Sequence, residues 1–210
     1  MTIDPTPDGA GPRWQQWRHL TAAGIAPIQR GLIEAEGRAR TIRNYQDQIV
    51  PGLLQTEPYA RAILNTCIEF TGSLDDIDDA VAARMARQQV LRSEDHRFGV
   101  LLAEQVLYTG VGSAEVMRGQ LEYLLDVMDL PRQELGIVPQ DAGFVYTTTG
   151  FVIMDERTVE VETISANLTV TRPSELECYE KVWRRLSERA VLGDEARALI
   201  DRALVRLRPM

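Results

Sequence analysis

Residues 44–64 read NYQDQIVPGLLQTEPYARAIL, and this stretch predicts how the chain turns into its core. An extended approach over residues 45–50 ends at Pro51–Gly52. That dipeptide is typical of a type II turn, because proline sets the first central φ and glycine accepts the positive φ that follows. Two leucines come directly after the turn and are predicted to fill the core beside it. Gln55 is the polar side chain that accompanies them.

A helix is predicted to follow the turn. Thr56 is its expected N-cap, and Pro58 lies in its first turn, where a missing N–H loses no partner. The helical spacing of apolar residues defines the face that is expected to be buried. The residues of that face are Tyr59, Ile63, Cys67 and Phe70.

Upstream of this stretch, two shorter helices are predicted. The first ends at Gly24, and its apolar face consists of Trp14, Trp17 and Leu20. The second begins near Pro27, and its apolar stripe consists of Ile28, Leu32, Ala35, Ala39 and Ile42. Residues 1–11 are rich in proline, glycine and aspartate, so they are predicted to be a flexible arm. Residues 12–210 then form a single domain.

Downstream, Ser73 is predicted to open a helix with aspartates in its first turns, where carboxylates complement the helix dipole and need no other partner. Arg84, Arg87 and Gln88 follow on one face, beside the apolar stripe. A half-buried arginine pair needs an anion. The sequence leaves two sources open, the carboxylates of the protein itself or an external ligand.

Glu104 is the internal carboxylate that the sequence offers. Alternation of the preceding residues predicts a strand that places Glu104 at the end of an inward-facing apolar row. An arginine then holds it ionised, or desolvation makes it an acid–base group. If the strand stops at Ala103, Glu104 is solvated instead. We expect a contact of Glu104 with Arg84 or Arg87, with Gln55 hydrogen-bonded nearby.

The rest of the chain predicts a sheet between helices. Short segments rich in β-branched and aromatic residues are separated by turn residues, as in an antiparallel meander. They span residues 134–139, 144–148, 151–154, 158–164 and 167–171. The helices around them have predicted caps at Ser113, Ser174 and Asp194. The fold class is therefore α+β, with helix-rich N- and C-terminal parts around a central, mainly antiparallel sheet.

A set of ordered motifs carries a family resemblance. The run VPGLLQTEPYARAIL over residues 50–64 is followed by RMARQQVL, LLAEQVL, QLEYL, IVPQDAG and VEVET, which begin at residues 84, 101, 120, 137 and 159. In this order the motifs resemble a C-terminal domain of unknown function from actinobacterial regulators of the XRE helix-turn-helix type, described as antitoxin-like. Members of that family usually carry an N-terminal DNA-binding domain. The resemblance implies a stand-alone effector or partner domain without that module.

The resemblance and the residue chemistry together suggest one ligand- or partner-binding surface. Its expected members are Tyr45, Gln55, Arg84, Arg87, Gln88, Glu104, Gln120 and Glu162. Gln120 has a second interpretation as a satisfied polar residue at the border of its helix. Alternation places Glu162 on an exposed face, so it enters the set only through the family motif.

The composition limits the partners. A net charge of -8 opposes contacts with phosphates, so direct binding of nucleic acid by this chain alone is not expected. Two cysteines are too few for a disulfide framework, and no apolar segment approaches the roughly 18 residues of a membrane span. A cytoplasmic protein without membrane contact is therefore expected. Lys181 is the single lysine among 23 cations, which is typical of a GC-rich, for example actinobacterial, genome.

Two functions remain open. The first is a regulatory or effector-sensing domain that binds a small molecule or a protein partner, and a homodimer is compatible with it. The second is an enzyme that reuses this fold, for example a small biosynthetic catalyst with Glu104 as the acid–base group. The sequence has no paired zinc spacing, Walker loop or G-x-S-x-G elbow, so no metal and no cofactor are expected.

Overall fold

Helices precede, interrupt and follow a sheet in the computed structural model, which describes residues 13–207. The strands are β1 (Arg13–Gln16), β2 (Thr41–Gln46), β3 (Arg97–Ala103), β4 (Gln133–Val138), β5 (Phe151–Met154), β6 (Thr158–Glu162) and β7 (Ala166–Val170). The α-helices are α1 (Trp17–Leu20), α2 (Ala26–Arg38), α3 (Glu57–Thr71), α4 (Ile77–Arg87), α5 (Ala114–Val127), α6 (Pro173–Ser187) and α7 (Gly193–Arg206). The predicted flexible arm, residues 1–11, lies outside the described residues.

The strands form one seven-stranded sheet in the order β1-β7-β6-β5-β2-β3-β4. β2, β3 and β4 run parallel and are joined by helical crossovers, whereas the other neighbouring pairs are antiparallel. The predicted α+β class with a central, mainly antiparallel sheet is confirmed. The parallel pairing was not predicted, since residues 134–139 were assigned to an antiparallel meander, whereas β4 pairs in parallel with β3. β3 is buried over most of its length, as strands of parallel sheets are.

The sheet separates two cores, since successive side chains of a strand point to opposite faces. On the first face, α3, α5 and α7 pack over Ile42, Leu102 and Ile137, whose side chains are almost fully buried. On the second face, Trp183 of α6 packs with Phe151 and Val161. Within residues 13–207, every helix is too short or too polar to cross a membrane.

The turn after β2 differs from the predicted type II turn. Gly52 has no positive φ but begins a 3₁₀ turn over Gly52–Leu54, in which the N–H of Leu54 donates to the carbonyl of Pro51 (2.8 Å). The helical turn continues in the direction that Pro51 sets, so the glycine needs no left-handed conformation. Leu53 and Leu54 are buried as predicted, and Gln55 is buried beside them.

The buried face of α3 also differs from the predicted one. Tyr59 is fully buried, but Cys67 and Phe70 are exposed, and Phe70 keeps 73% of its surface accessible. The reason is that α4 packs against α3 through Leu64, which lies on a neighbouring face of the helix. The stripe of Ile63, Cys67 and Phe70 therefore leaves the core towards the C-terminal end of α3.

The N-terminal segment contains a strand where a helix was predicted. β1 pairs with β7 and carries Trp14, which is largely exposed, so only α1 remains of the first predicted helix. The second predicted helix is present as α2, but it ends at Arg38, so Ala39 and Ile42 of the predicted stripe lie beyond it and Ile42 belongs to β2. After Ala26 at its start, the residues that α2 buries are Gln29 and Glu36 rather than the apolar stripe. These polar residues face the arginines of α4, which decides how the helix is rotated.

Several predicted boundaries are wrong by a few residues. Ser113 caps α5 as expected, but α6 begins at Pro173 and α7 at Gly193, so Ser174 and Asp194 lie inside these helices and do not cap them. Residues 144–148 form no strand. The other four predicted strands are present. At the starts of α6 and α7, a proline or a glycine already ends the preceding segment. The polar residue one position later is therefore not needed as a cap.

The aspartate run before α4 contacts the start of α2 as well as the start of α4. Asp76 is the N-cap residue of α4, and its carboxylate accepts hydrogen bonds from the backbone N–H groups of Ile25 (3.0 Å) and Ala26 (2.7 Å) at the start of α2. The same carboxylate fills the space above Gly24, where a Cβ atom would meet it at 2.2 Å. The aspartate run therefore has a partner inside the protein, the backbone N–H groups at the start of α2. The sequence predicted only its interaction with the dipole of its own helix.

Asp76→Ala is expected to lower the free energy of unfolding by about 1–2 kcal/mol, because two backbone donors of α2 lose their acceptor. Urea titration measures this loss. Asp79→Ala is the matched control, since Asp79 makes an exposed contact with Arg30 (3.6 Å) that is worth less than about 0.5 kcal/mol. Equal losses in the two variants would contradict the prediction.

Candidate functional site

Arg87 is one of the two buried charged residues in the described part of the chain, and it is paired with the other, Glu36. Its Nε and Nη2 atoms donate to the two carboxylate oxygens of Glu36 at 2.9 and 2.5 Å. Both side chains are about nine-tenths buried. Its Nη1 donates to the amide oxygen of Gln29 (2.6 Å). A bidentate pair of this kind fixes both direction and distance, so it joins α4 to α2.

Arg84 has a different environment. Its Nε donates to Gln29 Oε1 (3.1 Å) and its Nη1 to Gln55 Oε1 (2.7 Å), and both acceptors are neutral amides. Among residues 13–207, no carboxylate lies within 4.0 Å of its guanidinium, and its Nη2 has no hydrogen-bond partner. Burial, and then the nearby charge of Arg87, lower the pKa of Arg84 to about 10. The group is therefore a cation at neutral pH without a paired anion.

The glutamines around the arginines hold the turn that follows β2. Gln55 Nε2 donates to the carbonyl of Val50 (2.7 Å), and Gln88 Nε2 donates to the carbonyl of Gln55 (2.5 Å). Gln120 donates to the carbonyl of Leu54 (2.6 Å) and accepts from the N–H of Thr56 (2.8 Å). Gln120 is fully buried and satisfied, which agrees with its second interpretation. These three side chains position the turn rather than face solvent.

The guanidinium groups lie directly behind that turn. A Cβ atom on Gly52 would stand 3.6 Å from both Arg84 Nε and Arg87 Nη1. These are ordinary van der Waals distances, so they place both cations against the turn without requiring a glycine there. The predicted grouping of Gln55, Arg84 and Arg87 beside the Pro51–Gly52 segment is present in the fold.

The antiparallel half of the sheet presents a polar surface on the face of the first core. Glu160 pairs with Val152 in register, so it points to the same face of the sheet as Val152, which is the face of the first core. Its carboxylate accepts from Asn167 Nδ2 (2.6 Å) and Thr169 Oγ1 (2.8 Å). Glu162 follows two residues later on the same face, and its side chain is accessible and makes no hydrogen bond within residues 13–207.

Glu162 stands within the electrostatic reach of the arginine pair. Burial raises its pKa, the Arg84 and Arg87 cations lower it, and the Glu160 carboxylate raises it again, with burial as the dominant cause. The Glu162 side chain is itself accessible to solvent. We call the space between Arg84 of α4 and the Glu160 and Glu162 carboxylates of β6 the Arg84–Glu162 cleft.

Cys67 of α3 lies within electrostatic range of Arg84 and Glu162. Burial raises the pKa of its thiol, the Arg84 cation lowers it, and the Glu162 carboxylate raises it. The side chain is accessible, and it lies between Ile63 and Phe70 on one stripe of α3. The stripe that was predicted to enter the core is thus accessible to solvent at Cys67 and Phe70.

Tyr45 lies apart from this cluster. It is 5% exposed, points to the second face of the sheet, and its ring packs 5.8 Å from that of Phe151. Burial, assisted by the negative charge of Asp47, raises its pKa to about 12. The position of Tyr45 next to the turn in sequence does not bring its hydroxyl to the arginines, because alternation directs it through the sheet.

The expected contact between Glu104 and an arginine of α4 is wrong. β3 stops at Ala103, and Glu104 begins a 3₁₀ turn, which is the alternative that the sequence left open. Its carboxylate accepts from the backbone N–H of Gln140 (3.0 Å) and takes part in no ion pair within residues 13–207. It borders a shallow groove of about 550 Å³ that Arg202 also lines. The 3₁₀ turn rotates its side chain out of the strand row.

Sequence reasoning missed the two partners that complete the cluster, Gln29 and Glu36. They are seven residues apart and therefore lie on one face of α2, close to the face of Ile25. This spacing was the available signal, but polar residues on a helix are exposed by default. Residues 13–207 contain no group of three or more His, Cys, Asp and Glu side chains arranged to hold a metal ion.

Glu36→Ala is expected to lower the free energy of unfolding by about 3 kcal/mol, because it leaves the Arg87 cation buried without its carboxylate. Urea titration measures the loss. Glu34→Ala is the control on the exposed side of the same helix, where the contact with Arg38 (3.2 Å) is solvated and worth about 0.5 kcal/mol or less. A Glu36→Ala variant as stable as Glu34→Ala would rule out this account of the pair.

Glu162→Gln is expected to raise Tm at pH 7–8 and to leave it unchanged near pH 4. A carboxyl whose pKa is raised on folding favours the folded state while it is protonated. That contribution is present below its ordinary value of 4.5 and is lost as the pH rises through the folded pKa. The amide keeps the shape and cannot ionise. Glu134→Gln, at an exposed position, is the control, and a lowered Tm of Glu162→Gln at pH 7–8 would refute the assignment.

Comparison with known proteins gives one family and several distant structures. Residues 29–202 match the model of a family described as a domain of unknown function (DUF5753). No curated protein matches the chain. The phospholipase D family member Nuc from Salmonella typhimurium is 13% identical with a TM-score of 0.47, and the match covers 87% of this chain and 97% of Nuc.

Two further structures have similar scores. NucT from Helicobacter pylori is 10% identical with a TM-score of 0.45, and the match covers 87% of this chain and 98% of NucT. TrmBL2, an archaeal chromatin protein, is 10% identical with a TM-score of 0.43, and the match covers 92% of this chain and 57% of TrmBL2. At these identities and TM-scores, nothing about function follows from the three structures.

Proposed function

The chain belongs to the DUF5753 family, a domain of unknown function. We propose that it is an effector-sensing domain of regulators of the helix-turn-helix type, whose effector binds in the Arg84–Glu162 cleft. The ordered motifs that resemble the C-terminal domain of antitoxin-like XRE regulators support the regulatory part of the proposal. The effector is a small molecule with an anionic group, and the protein acts in the cytoplasm.

The observation that carries the proposal is the unpaired cation of Arg84. Its two polar contacts are the amides of Gln29 and Gln55, whereas its neighbour Arg87 has a carboxylate of its own. A half-buried cation is stabilised by an anion, and a guanidinium with a free edge binds a carboxylate or phosphate group strongly. An anionic effector supplies the negative charge that no carboxylate of residues 13–207 provides within 4.0 Å of the Arg84 guanidinium.

The charge of the chain favours this partner class over nucleic acid. The net charge of -8 repels a polyanion such as duplex DNA. A single small anion needs only one cation to contact, and Arg84 is the guanidinium that has no carboxylate within 4.0 Å among residues 13–207. In a regulator of this type, the DNA is read by another module, and this domain senses the signal.

Acetate and succinate are expected to raise Tm of the wild-type protein in a concentration-dependent way at constant ionic strength, because a ligand that binds only the folded state stabilises it. Arg84→Gln should abolish the rise, with sodium chloride as the reference salt. Arg61→Gln is the matched control, since Arg61 is a surface arginine paired with Asp78 (2.7 Å). The proposal fails if neither carboxylate stabilises the wild type, or if the chain alone retards duplex DNA at physiological salt.

A second candidate function, an enzyme that reuses the fold, is favoured by one observation. Glu162 is an accessible carboxyl with a raised pKa beside two arginines, which is an arrangement suited to acid–base chemistry. Glu104, the acid–base group expected from the sequence, has no such surroundings. A biosynthetic gene cluster around the gene, and turnover of its intermediates that Glu162→Gln abolishes, would select the enzyme over the sensor.

A further inference from the structure

We propose that a groove at the amino end of β2 binds the phosphate group of a small molecule through Arg40 and Arg157. The groove has a volume of about 510 Å³ and lies between the junction of α2 with β2 and the turn that joins β5 to β6. It is lined by Arg38, Arg40, Thr41, Asp155, Glu156 and Arg157. This site goes beyond the proposed function, because Arg84 lies behind the turn that follows the carboxyl end of β2.

The turn between β5 and β6 brings the two arginines to one groove. Its central residues, Asp155 and Glu156, have φ angles of 52° and 57°, a conformation that a tight hairpin turn requires and that glycine or asparagine adopts more easily. Asp155 fastens this turn to β2. Its Oδ1 accepts from the backbone N–H groups of Arg40 (2.8 Å) and Thr41 (2.9 Å), and its own N–H donates to the Thr41 carbonyl (3.0 Å). Arg157, the next residue after the turn, is thereby held beside the start of β2.

The carboxylates that line the groove do not neutralise its arginines. Asp155 accepts backbone N–H groups instead, and Glu156 contacts Arg43 at 3.8 Å. Among residues 13–207, no carboxylate oxygen lies within 4.0 Å of a guanidinium nitrogen of Arg40 or Arg157, and neither guanidinium makes a hydrogen bond. Two cations from separate segments therefore line one groove without an anion of the described chain.

A phosphate group fits these donors better than a carboxylate does. A planar carboxylate is satisfied by one guanidinium edge, whereas a tetrahedral phosphate directs its oxygens to several sides and accepts from two guanidinium groups at once. Arg38 is a third donor at the groove, because its contact with Glu34 (3.2 Å) is exposed and a ligand replaces it at little cost. The net charge of -8 opposes a polyanion, so the ligand is a phosphorylated small molecule rather than nucleic acid.

Isothermal titration of the wild-type protein with inorganic phosphate and with pyrophosphate tests this inference, with sodium chloride keeping the ionic strength constant. We expect both ions to bind, and pyrophosphate to bind more tightly, because its second phosphate group reaches further donors of the groove. The same titrations of Arg84→Gln, which removes the cation of the proposed effector site, should give unchanged affinities.

Variants of the groove should change the affinity in opposite directions. Arg40→Gln and Arg157→Gln should each weaken pyrophosphate binding about tenfold or more, because each removes a charge-assisted contact. Both side chains are exposed, so Tm without ligand should stay unchanged, which separates lost binding from lost structure. Glu156→Gln should tighten binding, since it removes a negative charge from the groove. Arg30→Gln is the matched control, because Arg30 is a surface arginine that contacts Asp79 (3.6 Å) outside the groove.

The outcomes separate this inference from the proposed function. If Arg84→Gln abolishes pyrophosphate binding while Arg40→Gln and Arg157→Gln retain it, the phosphate binds at Arg84, so this inference is wrong and the proposed function stands. If neither phosphate binds the wild type, the inference is also wrong, and the acetate and succinate titrations decide the proposed function independently. Should an arginine variant fail to fold, Glu156→Gln decides the matter, because an unchanged or weakened affinity would overturn the site.

Discussion

The pair between Arg87 and Glu36 is the interaction on which the arrangement of the site depends. It joins α4 to α2 in the interior, and Gln29, which accepts from both Arg87 and Arg84, extends the same connection. A buried ion pair adds little net stability, because desolvation of the two charges offsets their attraction. The consequence of this ion pair is that it fixes α4 and α2 relative to each other. With the neighbouring arginine already neutralised, Arg84 is left as the cation that no carboxylate satisfies.

The cleft itself follows from how the sheet is covered. On the first face, α5 and α7 cover the parallel half, where the strands carry apolar side chains. β6 and β7 carry Glu160, Glu162, Asn167 and Thr169 on that face, so no apolar helix can cover them at low cost. These polar side chains therefore stay outside the first core. The opposite face shows no such division, because α6 packs on apolar residues of both halves.

The sequence predicts this architecture better than it predicts the contacts. The helices and four of the five predicted strands follow from periodicity, and the spacing of Arg84 and Arg87 correctly places both beside the turn at Gly52. Glu36 could not be found in the same way, because one helix gives no information about which of its polar faces another helix will cover. Glu104 was misassigned for a local reason: alternation does not show whether a strand extends by one residue or turns into a 3₁₀ segment.

For Glu162, the sequence pattern predicts the direction of the side chain but not its surroundings. Alternation with Val159 and Val161 correctly predicts that it points away from the second core. Exposure, however, depends on what stands opposite, and the elements opposite Glu162 are far away in sequence. A carboxylate on an open sheet face and one in a recess facing arginines have the same local pattern. Only the tertiary fold distinguishes them.

The position of β2 has a consequence for how the chain assembles. β2 pairs in parallel with β3 and antiparallel with β5, and residues 47–150 separate it from the second partner. Closing so long a loop costs conformational entropy that the local β5–β6 and β6–β7 pairings do not incur. The parallel unit is also synthesised before β5. Until Phe151–Met154 emerges and docks, one side of β2 carries unpaired backbone groups, so the nascent chain exposes an edge that the finished sheet conceals.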